Sequence, residues 1–323
     1  MKYRTFGKAG YSISEIGYGA WGIGAKMWQG ARDEDSVAAL RRAIGLGLNF
    51  IDTALAYGDG HSEQIVGRVV RDTSSKVFVS TKIPPKNFLW PARPGIGIEE
   101  VFPYDYIIQS TEQSLRNLGL EAVDLQQLHV WNAEWFGSEE WRRGLEDLKT
   151  SGKAKAVGIS INDYQPDSAL EIVKSGLIDS VQVIYNIFDQ SPAENLFPAC
   201  REHNVGVLAR VPLDEGGLTG TITPDTVFPP GDWRNAYFKD DRKQQVADRV
   251  AALRKDLEGV PGTLPEIALR FCLSDPAVTS VIPGMRRIST VESSCSVSDL
   301  GPLPAEVLAS LKKHEWRRNF YPE

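Results

Sequence analysis

Four polar residues stand within or just after short apolar, β-branched runs of the chain. Asp52 and Tyr57 lie in and after the second run, Lys82 near the end of the third, and His129 near the end of the fourth. Burying an ionisable group in an apolar run costs free energy unless that group finds a partner. If the runs are neighbouring strands, we expect the four side chains to meet around one point.

These residue types together can move a proton. A free tyrosine has a pKa of ~10, and a nearby ammonium group favours the phenolate, so we expect Lys82 to lower the pKa of Tyr57. Asp52 would keep Lys82 charged and in place, and His129 would orient a substrate oxygen. Tyr57 would then donate a proton to a carbonyl oxygen as hydride reaches the carbon. Each residue alone has an ordinary structural explanation, but their coincidence at three run ends favours catalysis.

The elements that would position these residues alternate along the chain. Short apolar runs are typical of strands buried on both faces, and longer segments with charges on one face are typical of helices. The eight apolar runs are Ile16–Trp21, Asn49–Ala54, Lys76–Ile83, Val123–Val130, Ala154–Ile161, Ser180–Asn186, Gly206–Leu213 and Val278–Met285. The amphipathic segments are Asp33–Leu46, Glu63–Arg71, Tyr104–Leu118, Glu139–Thr150, Asp167–Ser175, Glu194–Glu202 and Arg242–Leu257. Eight such β/α units predict an α/β fold, a closed (β/α)8 TIM barrel with its chemistry at the C-terminal strand ends.

Additional segments surround the repeating units. Lys2–Ile13 predicts a β-hairpin before the first barrel strand. A Pro/Gly-rich loop, Gly216–Asp241, follows the seventh strand. Further helices are predicted after strands seven and eight, namely Arg242–Leu257, a short one near Pro265–Leu273, Ile288–Ser296 and Pro304–His314. With no convincing linker, residues 1–323 are predicted to form a single barrel domain.

Composition excludes several classes of protein. The 323 residues carry 36 Lys and Arg against 42 Asp and Glu, a net charge of −6, which argues against a nucleic-acid or anionic-membrane binder. No apolar run is long enough to span a bilayer, and the N-terminus lacks the apolar core of a signal peptide. The sparse cysteines Cys200, Cys272 and Cys295 favour a reducing, cytoplasmic location, and no His/Cys cluster predicts a metal. The oligomeric state stays open.

One motif points elsewhere. Gly17–Gly22 matches the GxGxxG pattern of doubly wound dinucleotide-binding folds. In that fold a helix begins at the third glycine, whereas here the next helical pattern waits until about Asp33. The barrel interpretation is therefore preferred.

Further motifs surround the four polar residues. They are Gly47-Leu48-Asn49-Phe50-Ile51-Asp52-Thr53-Ala54, Tyr57-Gly58, His61-Ser62-Glu63, Gly67, Ser80-Thr81-Lys82, Asp124-Leu125, Leu128-His129, Gly152-Lys153 and Gly158-Ile159-Ser160. In these motifs the chain resembles the aldo-keto reductases nearly end to end. The resemblance implies a barrel enzyme that uses NADPH, less often NADH, and no metal. It also implies that the family's catalytic Asp, Tyr, Lys and His fall on Asp52, Tyr57, Lys82 and His129.

The resemblance also implies the cofactor contacts. Ser160, Asn162 and Gln182 would hold the nicotinamide carboxamide, although Ile161 stands where the family has Asn and Asn162 follows one position later. Arg210 would stack on the nicotinamide, or else form a salt bridge across the barrel mouth. The other expected contacts are Gly19, Ala20, Trp21, Asp52, Pro212, Leu213, Gly217, Leu218, Ile282, Gly284, Met285 and Arg286.

Two features bear on the cofactor's phosphates. Gly216 and Gly217 let the backbone approach a pyrophosphate, so the side chains of Asp214 and Glu215 should point away. Arg286 would grip a 2′-phosphate by a forked contact, which favours NADP(H) and leaves NAD(H) possible.

Aromatic residues are expected around the substrate, a small carbonyl compound or alcohol. The proposed contacts are Trp21, Tyr57, Trp90, His129 and Trp131. Phe228–Phe238 would lie over the cofactor, and the Trp316–Tyr321 tail would reach the pocket rim or a neighbouring subunit.

Three functions compete. The first is a carbonyl reductase or alcohol dehydrogenase, and the second is a cofactor-binding regulatory subunit of the potassium-channel beta type. The four residues fit both, and the absence of an extension before Tyr3 disfavours the channel role. A phosphate-binding isomerase or lyase would not explain the four residues together.

Overall fold

A two-stranded hairpin closes one end of the molecule in the computed structural model, which describes residues 1–317. Its antiparallel strands, β1 (Tyr3–Phe6) and β2 (Tyr11–Ser14), are joined by a 3-10 turn. Phe6 and Ile13 pack against apolar side chains at the N-terminal ends of the barrel strands. The predicted hairpin is confirmed, and it seals the bottom of the barrel.

Eight parallel strands form the barrel. They are β3 (Tyr18–Gly19), β4 (Phe50–Asp52), β5 (Phe78–Ile83), β6 (Leu125–Leu128), β7 (Val157–Ser160), β8 (Ser180–Ile184), β9 (Gly206–Arg210) and β10 (Val278–Val281). Each strand pairs with the next in chain order. The bridges Ile16↔Val281 and Gly19↔Gly284 join the first strand to the last, so the predicted (β/α)8 barrel is confirmed.

Helices surround the strands, largely at the predicted positions. They are α1 (Asp33–Gly45), α2 (His61–Asp72), α3 (Ile98–Val101), α4 (Tyr104–Leu118), α5 (Glu139–Thr150), α6 (Leu170–Ser175), α7 (Leu196–Glu202), α8 (Arg234–Tyr237), α9 (Arg242–Asp256), α10 (Leu264–Ser274), α11 (Ile288–Leu300) and α12 (Ala305–Leu311). The extra helices after the seventh and eighth barrel strands are present. The one-turn helix α8 lies inside the segment predicted as a loop, where Asp232 Oδ1 accepts a hydrogen bond from Arg234 N at 3.1 Å and starts the turn.

The barrel interior changes character along its axis. Because side chains alternate along a strand, Phe50 and Asp52 face the same way, as do Phe78, Ser80 and Lys82. The lower layer is apolar and contains the two phenylalanines. The upper layer is polar, with Asp52, Ser80 and Lys82 all buried. The polar layer therefore lies at the C-terminal strand ends, where barrel enzymes carry their chemistry.

The GxGxxG motif does not open a dinucleotide-binding helix. It runs through β3 into a 3-10 turn, Trp21–Ile23, and the first α-helix begins only at Asp33. The preference for a barrel over a doubly wound fold is thereby supported.

Two observations complete the fold. Within residues 1–317, no helix combines the length and apolarity needed to cross a membrane. The predicted Trp316–Tyr321 tail is described only as far as Arg317, and residues 318–321 lie outside the described part of the chain. Trp316 packs back onto the barrel, with its backbone N–H donating to Phe188 O at 2.7 Å.

Candidate active site

A buried ion pair occupies the polar layer. Lys82 Nζ donates to Asp52 Oδ2 at 2.6 Å and to Thr53 O at 2.7 Å. The side chains of Lys82 and Asp52 are 0% and 3% exposed. Burial alone lowers the pKa of Lys82, but Asp52 and the neighbouring Tyr57 outweigh that effect, and the pKa is raised above its ordinary value. Lys82 is therefore a cation fixed inside the barrel.

Tyr57 follows β4 and places its hydroxyl beside this cation. Lys82 Nζ lies 3.4 Å from Tyr57 Oη and 5.0 Å from the centre of the phenol ring. Burial raises the pKa of Tyr57 above its ordinary value, and the charge on Lys82 opposes this shift without cancelling it. Lys82 has the predicted lowering effect on the pKa of Tyr57, but burial outweighs it, so the pKa does not come below that of free tyrosine. Tyr57 is protonated at neutral pH, as a proton donor must be.

His129 completes the group at the end of β6. Its ring lies edge-on to Tyr57, with centroids 5.6 Å apart. Burial lowers the pKa of His129 well below its ordinary value, and the charges of Lys82 and Arg210 lower it further. A neutral imidazole offers one donor and one acceptor nitrogen. His129 Nδ1 is buried without a hydrogen-bond partner among the described residues, so the ring can orient a ligand oxygen.

Two tryptophans flank this group, and a third lies away from it. Trp21 stacks on Tyr57 with ring centroids 6.1 Å apart. Trp90 is 37% exposed and meets the His129 ring edge-on at 4.6 Å. Trp131, in contrast, is 0% exposed, and its indole N–H donates to Ser168 O at 3.1 Å. The position of Trp131 corresponds to loop packing and does not support the predicted substrate contact.

The residues expected at the nicotinamide carboxamide divide into two groups. Ser160 and Gln182 are register partners on β7 and β8, and Gln182 Nε2 donates to Asp52 Oδ1 at 2.9 Å. Asn162 instead binds the backbone of Ala92, accepting from its N–H at 3.2 Å and donating to its carbonyl at 3.1 Å. Because both ends of that amide are engaged, the structure does not support Asn162 as a substitute for the family's asparagine.

Arg210 ends β9 at the barrel mouth. Its Nη2 lies 2.5 Å from Asp163 Oδ1 and donates to Ile161 O at 3.0 Å. This contact is the predicted salt bridge, and the predicted stacking of Arg210 on the nicotinamide stays a prediction.

The loop after β9 has an unusual backbone. Val211, Asp214 and Glu215 have φ values of +53°, +48° and +52°, and Gly216 has φ of +104°. Asp214 is buried and accepts a hydrogen bond from the Tyr237 hydroxyl at 2.5 Å, so its side chain points into the protein as expected. Burial raises the pKa of Glu215 to about 8, with further contributions from Asp214 and Asp163.

Two arginine side chains, Arg234 and Arg286, lie close together beside Trp28. The aliphatic stem of Arg286 lies against Gly22, where an added Cβ would come 2.9 Å from Arg286 Cδ, and the guanidinium Nη1 donates to Gln29 O at 2.9 Å. Arg234 and Arg286 lie 4.4 Å and 5.5 Å from the centre of the Trp28 ring. Guanidinium groups close together are the donors that phosphate prefers.

The expected cofactor positions therefore lie around one mouth. Gly19 forms a bridge with Gly284, which brings Ala20 and Trp21 beside the segment 282–286. Pro212, Leu213, Gly217 and Leu218 lie on the loop after β9. A glycine-containing loop and guanidinium groups beside a buried polar layer fit the phosphate chain of a dinucleotide.

Two further buried polar residues belong to the Asp52 network: Ser80, which the sequence singled out only within the Ser80-Thr81-Lys82 motif, and Gln127, which it did not single out. Ser80 Oγ donates to Asp52 Oδ1 at 3.0 Å, and Gln127 Nε2 donates to Ser80 Oγ at 2.9 Å. The available signal was the Gln126-Gln127 pair inside an otherwise apolar strand.

Comparison with known proteins identifies the family to which the chain is similar. The model of the Aldo/keto reductase family matches residues 15–315. The NADH-specific methylglyoxal reductase of Escherichia coli K12 is 29% identical, covering 88% of this chain and 89% of that protein. An aldo-keto reductase of Bacillus halodurans in its holo form is 27% identical, with a TM-score of 0.77, covering 98% of this chain and 96% of that one. An aldo-keto reductase of Klebsiella pneumoniae in complex with NADPH is 25% identical, with a TM-score of 0.70 and the same two coverages, 98% and 96%.

Proposed function

Because the chain belongs to the aldo/keto reductase family, we propose that it is an NADP(H)-dependent oxidoreductase that reduces aldehyde or ketone carbonyls, or oxidises the corresponding alcohols. The observation that carries this proposal is the position of the Lys82 ammonium, 2.6 Å from the Asp52 carboxylate and 3.4 Å from the Tyr57 hydroxyl. A buried cation next to a protonated phenol at the C-terminal end of a barrel is an arrangement for proton donation.

Each residue of the buried group has a separate role in this proposal. When bound, the nicotinamide supplies the hydride for reduction or accepts it in oxidation. Tyr57 gives its proton to the carbonyl oxygen, and Lys82 stabilises the phenolate that remains. Asp52 keeps Lys82 charged and in place. Neutral His129 hydrogen-bonds the same oxygen and orients the carbonyl, while Trp21 and Trp90 bound the space for the rest of the substrate.

The cofactor assignment rests on the charge at the mouth. Arg286 would hold a 2′-phosphate, which supports NADP(H), and the Klebsiella neighbour in complex with NADPH agrees. The Escherichia coli relative is NADH-specific, so NAD(H) stays the alternative. Ser160 and Gln182 would hold the carboxamide, and the segment Gly216–Gly217 would lie against the pyrophosphate.

The same proposal covers the chain's organisation and location. We propose that residues 1–323 form one domain, since Lys2 N donates to Ser298 Oγ at 2.6 Å and joins the N-terminus to α11. The three cysteines are free and buried, which supports a cytoplasmic location. We propose a small-molecule carbonyl or alcohol as the partner.

A substrate panel tests the proposal. The purified protein is mixed with NADPH or NADH and a series of small, aromatic and sugar aldehydes and ketones, and cofactor oxidation is followed, with Tyr57→Phe as the blank. We expect turnover of at least one reactive aldehyde, faster with NADPH. Cofactor binding without turnover across the panel would overturn the enzymatic proposal and favour a regulatory role of the channel beta-subunit type.

A further inference from the structure

A buried ion pair connects the loop after β9 to the helical layer behind it. Arg242, at the start of α9, lies 3.2 Å from Asp214 Oδ1 through its Nη2. The two side chains are 3% and 4% exposed. The same Nη2 donates to the Tyr237 hydroxyl at 2.8 Å, and that hydroxyl donates to Asp214 at 2.5 Å. Three segments of chain therefore meet in one closed triangle of hydrogen bonds.

Aromatic rings enclose the guanidinium of Arg242. Its central carbon lies 4.4 Å from the centre of the Tyr237 ring and 4.8 Å from that of Trp316. Trp316 also lies 4.2 Å from the guanidinium of Arg249, which follows Arg242 about two helical turns later on the same face of α9. The stacking keeps Arg242 aimed at the loop rather than at solvent.

This ion pair is poorly suited to stabilising the fold. Nε and Nη1 of Arg242, and Oδ2 of Asp214, have no hydrogen-bond partner among the described residues. A buried charge pair with unsatisfied atoms recovers little of its desolvation cost. Such a pair is better explained by the conformation it enforces than by the stability it adds.

The enforced conformation is that of the loop. Asp214 and Glu215, with φ of +48° and +52°, occupy the left-handed region that non-glycine residues avoid. Strained backbone persists only where its surroundings over-determine it, and it concentrates at ligand sites. The Asp214 side chain is the anchor at the strained position, and Gly216–Gly217 follow directly. The anchor and the phosphate-facing segment are thus neighbours in the chain.

We propose that Arg242 and Asp214 form a clamp that holds this strained loop open to the phosphates of the dinucleotide and thereby sets the affinity for the cofactor. The proposal rests on the proposed function, because it assigns the loop to that cofactor. Arg242 touches neither substrate nor reacting atoms and acts as a positioning residue through Asp214.

The test replaces Arg242 by Met, which keeps the apolar stem and removes the charge. The matched control is Arg249→Met, on the same helix and the same Trp316 ring. NADPH affinity is measured by tryptophan fluorescence quenching, and amide hydrogen exchange of residues 211–220 is measured in the cofactor-free protein. We expect Arg242→Met to weaken NADPH binding about tenfold and to speed exchange in the loop, and Arg249→Met to resemble the wild type.

The affinity and the hydrogen-exchange measurements together distinguish a failure of the clamp from a failure of the proposed function. Equal affinity and equal loop exchange in the two variants would overturn the clamp. If Arg242→Met speeds loop exchange but the wild-type protein binds neither NADPH nor NADH, the ion pair holds the loop, while its role in cofactor affinity and the proposed function are both contradicted. If Arg242→Met does not fold, Asp214→Asn takes its place, since the amide keeps the Tyr237 contact while losing the charge. An Asp214→Asn protein with wild-type affinity and wild-type loop exchange would likewise overturn the clamp.

Discussion

The ammonium nitrogen of Lys82 lies 3.4 Å from the hydroxyl oxygen of Tyr57, inside the polar end of the barrel. Burial raises the pKa of the phenol, and the cation limits that rise. Burial therefore keeps a proton on Tyr57 at neutral pH, while the Lys82 cation is placed to stabilise the phenolate left when that proton is transferred. Its geometry leads to a specific pH dependence.

The two directions of the reaction should respond oppositely to pH. Reduction needs protonated Tyr57, whose pKa is raised above its ordinary value of 10.0, so kcat for reduction should stay level from neutral to about pH 9 and fall only beyond. Oxidation needs the phenolate, so its rate should keep rising with pH. In Lys82→Met the opposing charge is gone, and both limbs should move to higher pH. Profiles of kcat in the two directions measure this, and a reduction limb that falls near neutral pH would be incompatible with it.

Two adjacent glutamines on β6 offer a matched pair of variants. Both are 0% exposed, but Gln127 faces Asp52 and Ser80, whereas both amide atoms of Gln126 have no partner among the described residues. Gln127→Leu removes a donor from the Asp52 network and should lower kcat several-fold at a cost of about 1–3 kcal/mol in stability. Gln126→Leu removes an unsatisfied polar group and should be neutral or stabilising. Measurement of kcat and of thermal unfolding for the two variants tests this difference. A larger loss of kcat in Gln126→Leu than in Gln127→Leu would refute a role of the Asp52 hydrogen-bond network in catalysis.

Arg286 should discriminate between the two dinucleotides. Its side chain lies against Gly22, and its Nη1 donates to Gln29 O at 2.9 Å. Arg286→Ala should weaken NADPH binding by about 1.5–3 kcal/mol, the contribution of a hydrogen bond to a charged group, and leave NADH binding nearly unchanged. Titration of both cofactors measures this, and the NADH titration is the internal control. Equal losses for NADPH and NADH would remove the 2′-phosphate role.

Substitution of Trp90 should affect substrate binding, whereas substitution of Trp131 should affect stability. Trp90 is 37% exposed beside His129, so Trp90→Ala should change KM with little effect on unfolding. Trp131 is fully buried against Trp135 and Trp141, so Trp131→Ala should cost about 3–5 kcal/mol of stability. Substrate kinetics and denaturant unfolding distinguish the two effects. A variant at Trp131 with native stability and altered KM would restore it to the substrate site.

The sequence predicts the strands and helices of the barrel well because these elements are determined by residues close together in the chain. Each predicted strand contains an observed one, and α4 and α5 have the predicted bounds. A left-handed Gly119 ends α4, and the Ser138 side chain caps the start of α5. The four polar residues were identifiable for the same reason, since each interrupts or directly follows an apolar run.

The errors concern contacts between distant segments. The sequence predicts Asn162 at the carboxamide, but the backbone of Ala92 engages both ends of its amide, and it predicts Trp131 at the substrate, but Trp131 is fully buried. The direction of the Tyr57 pKa depends on a balance between burial and the Lys82 charge, and spacing along the chain does not measure burial. Ser80 and Gln127 acquire their role only when the strand register places them around Asp52.

The most direct test of the catalytic proposal is Tyr57→Phe, which removes one oxygen atom and leaves the ring that stacks on Trp21. Cofactor affinity and single-turnover carbonyl reduction are measured on the same preparation. We predict an NADPH dissociation constant close to the wild-type value together with a loss of reduction of about 10²–10⁴-fold. Undiminished kcat in Tyr57→Phe would contradict the assignment of Tyr57 as the proton donor.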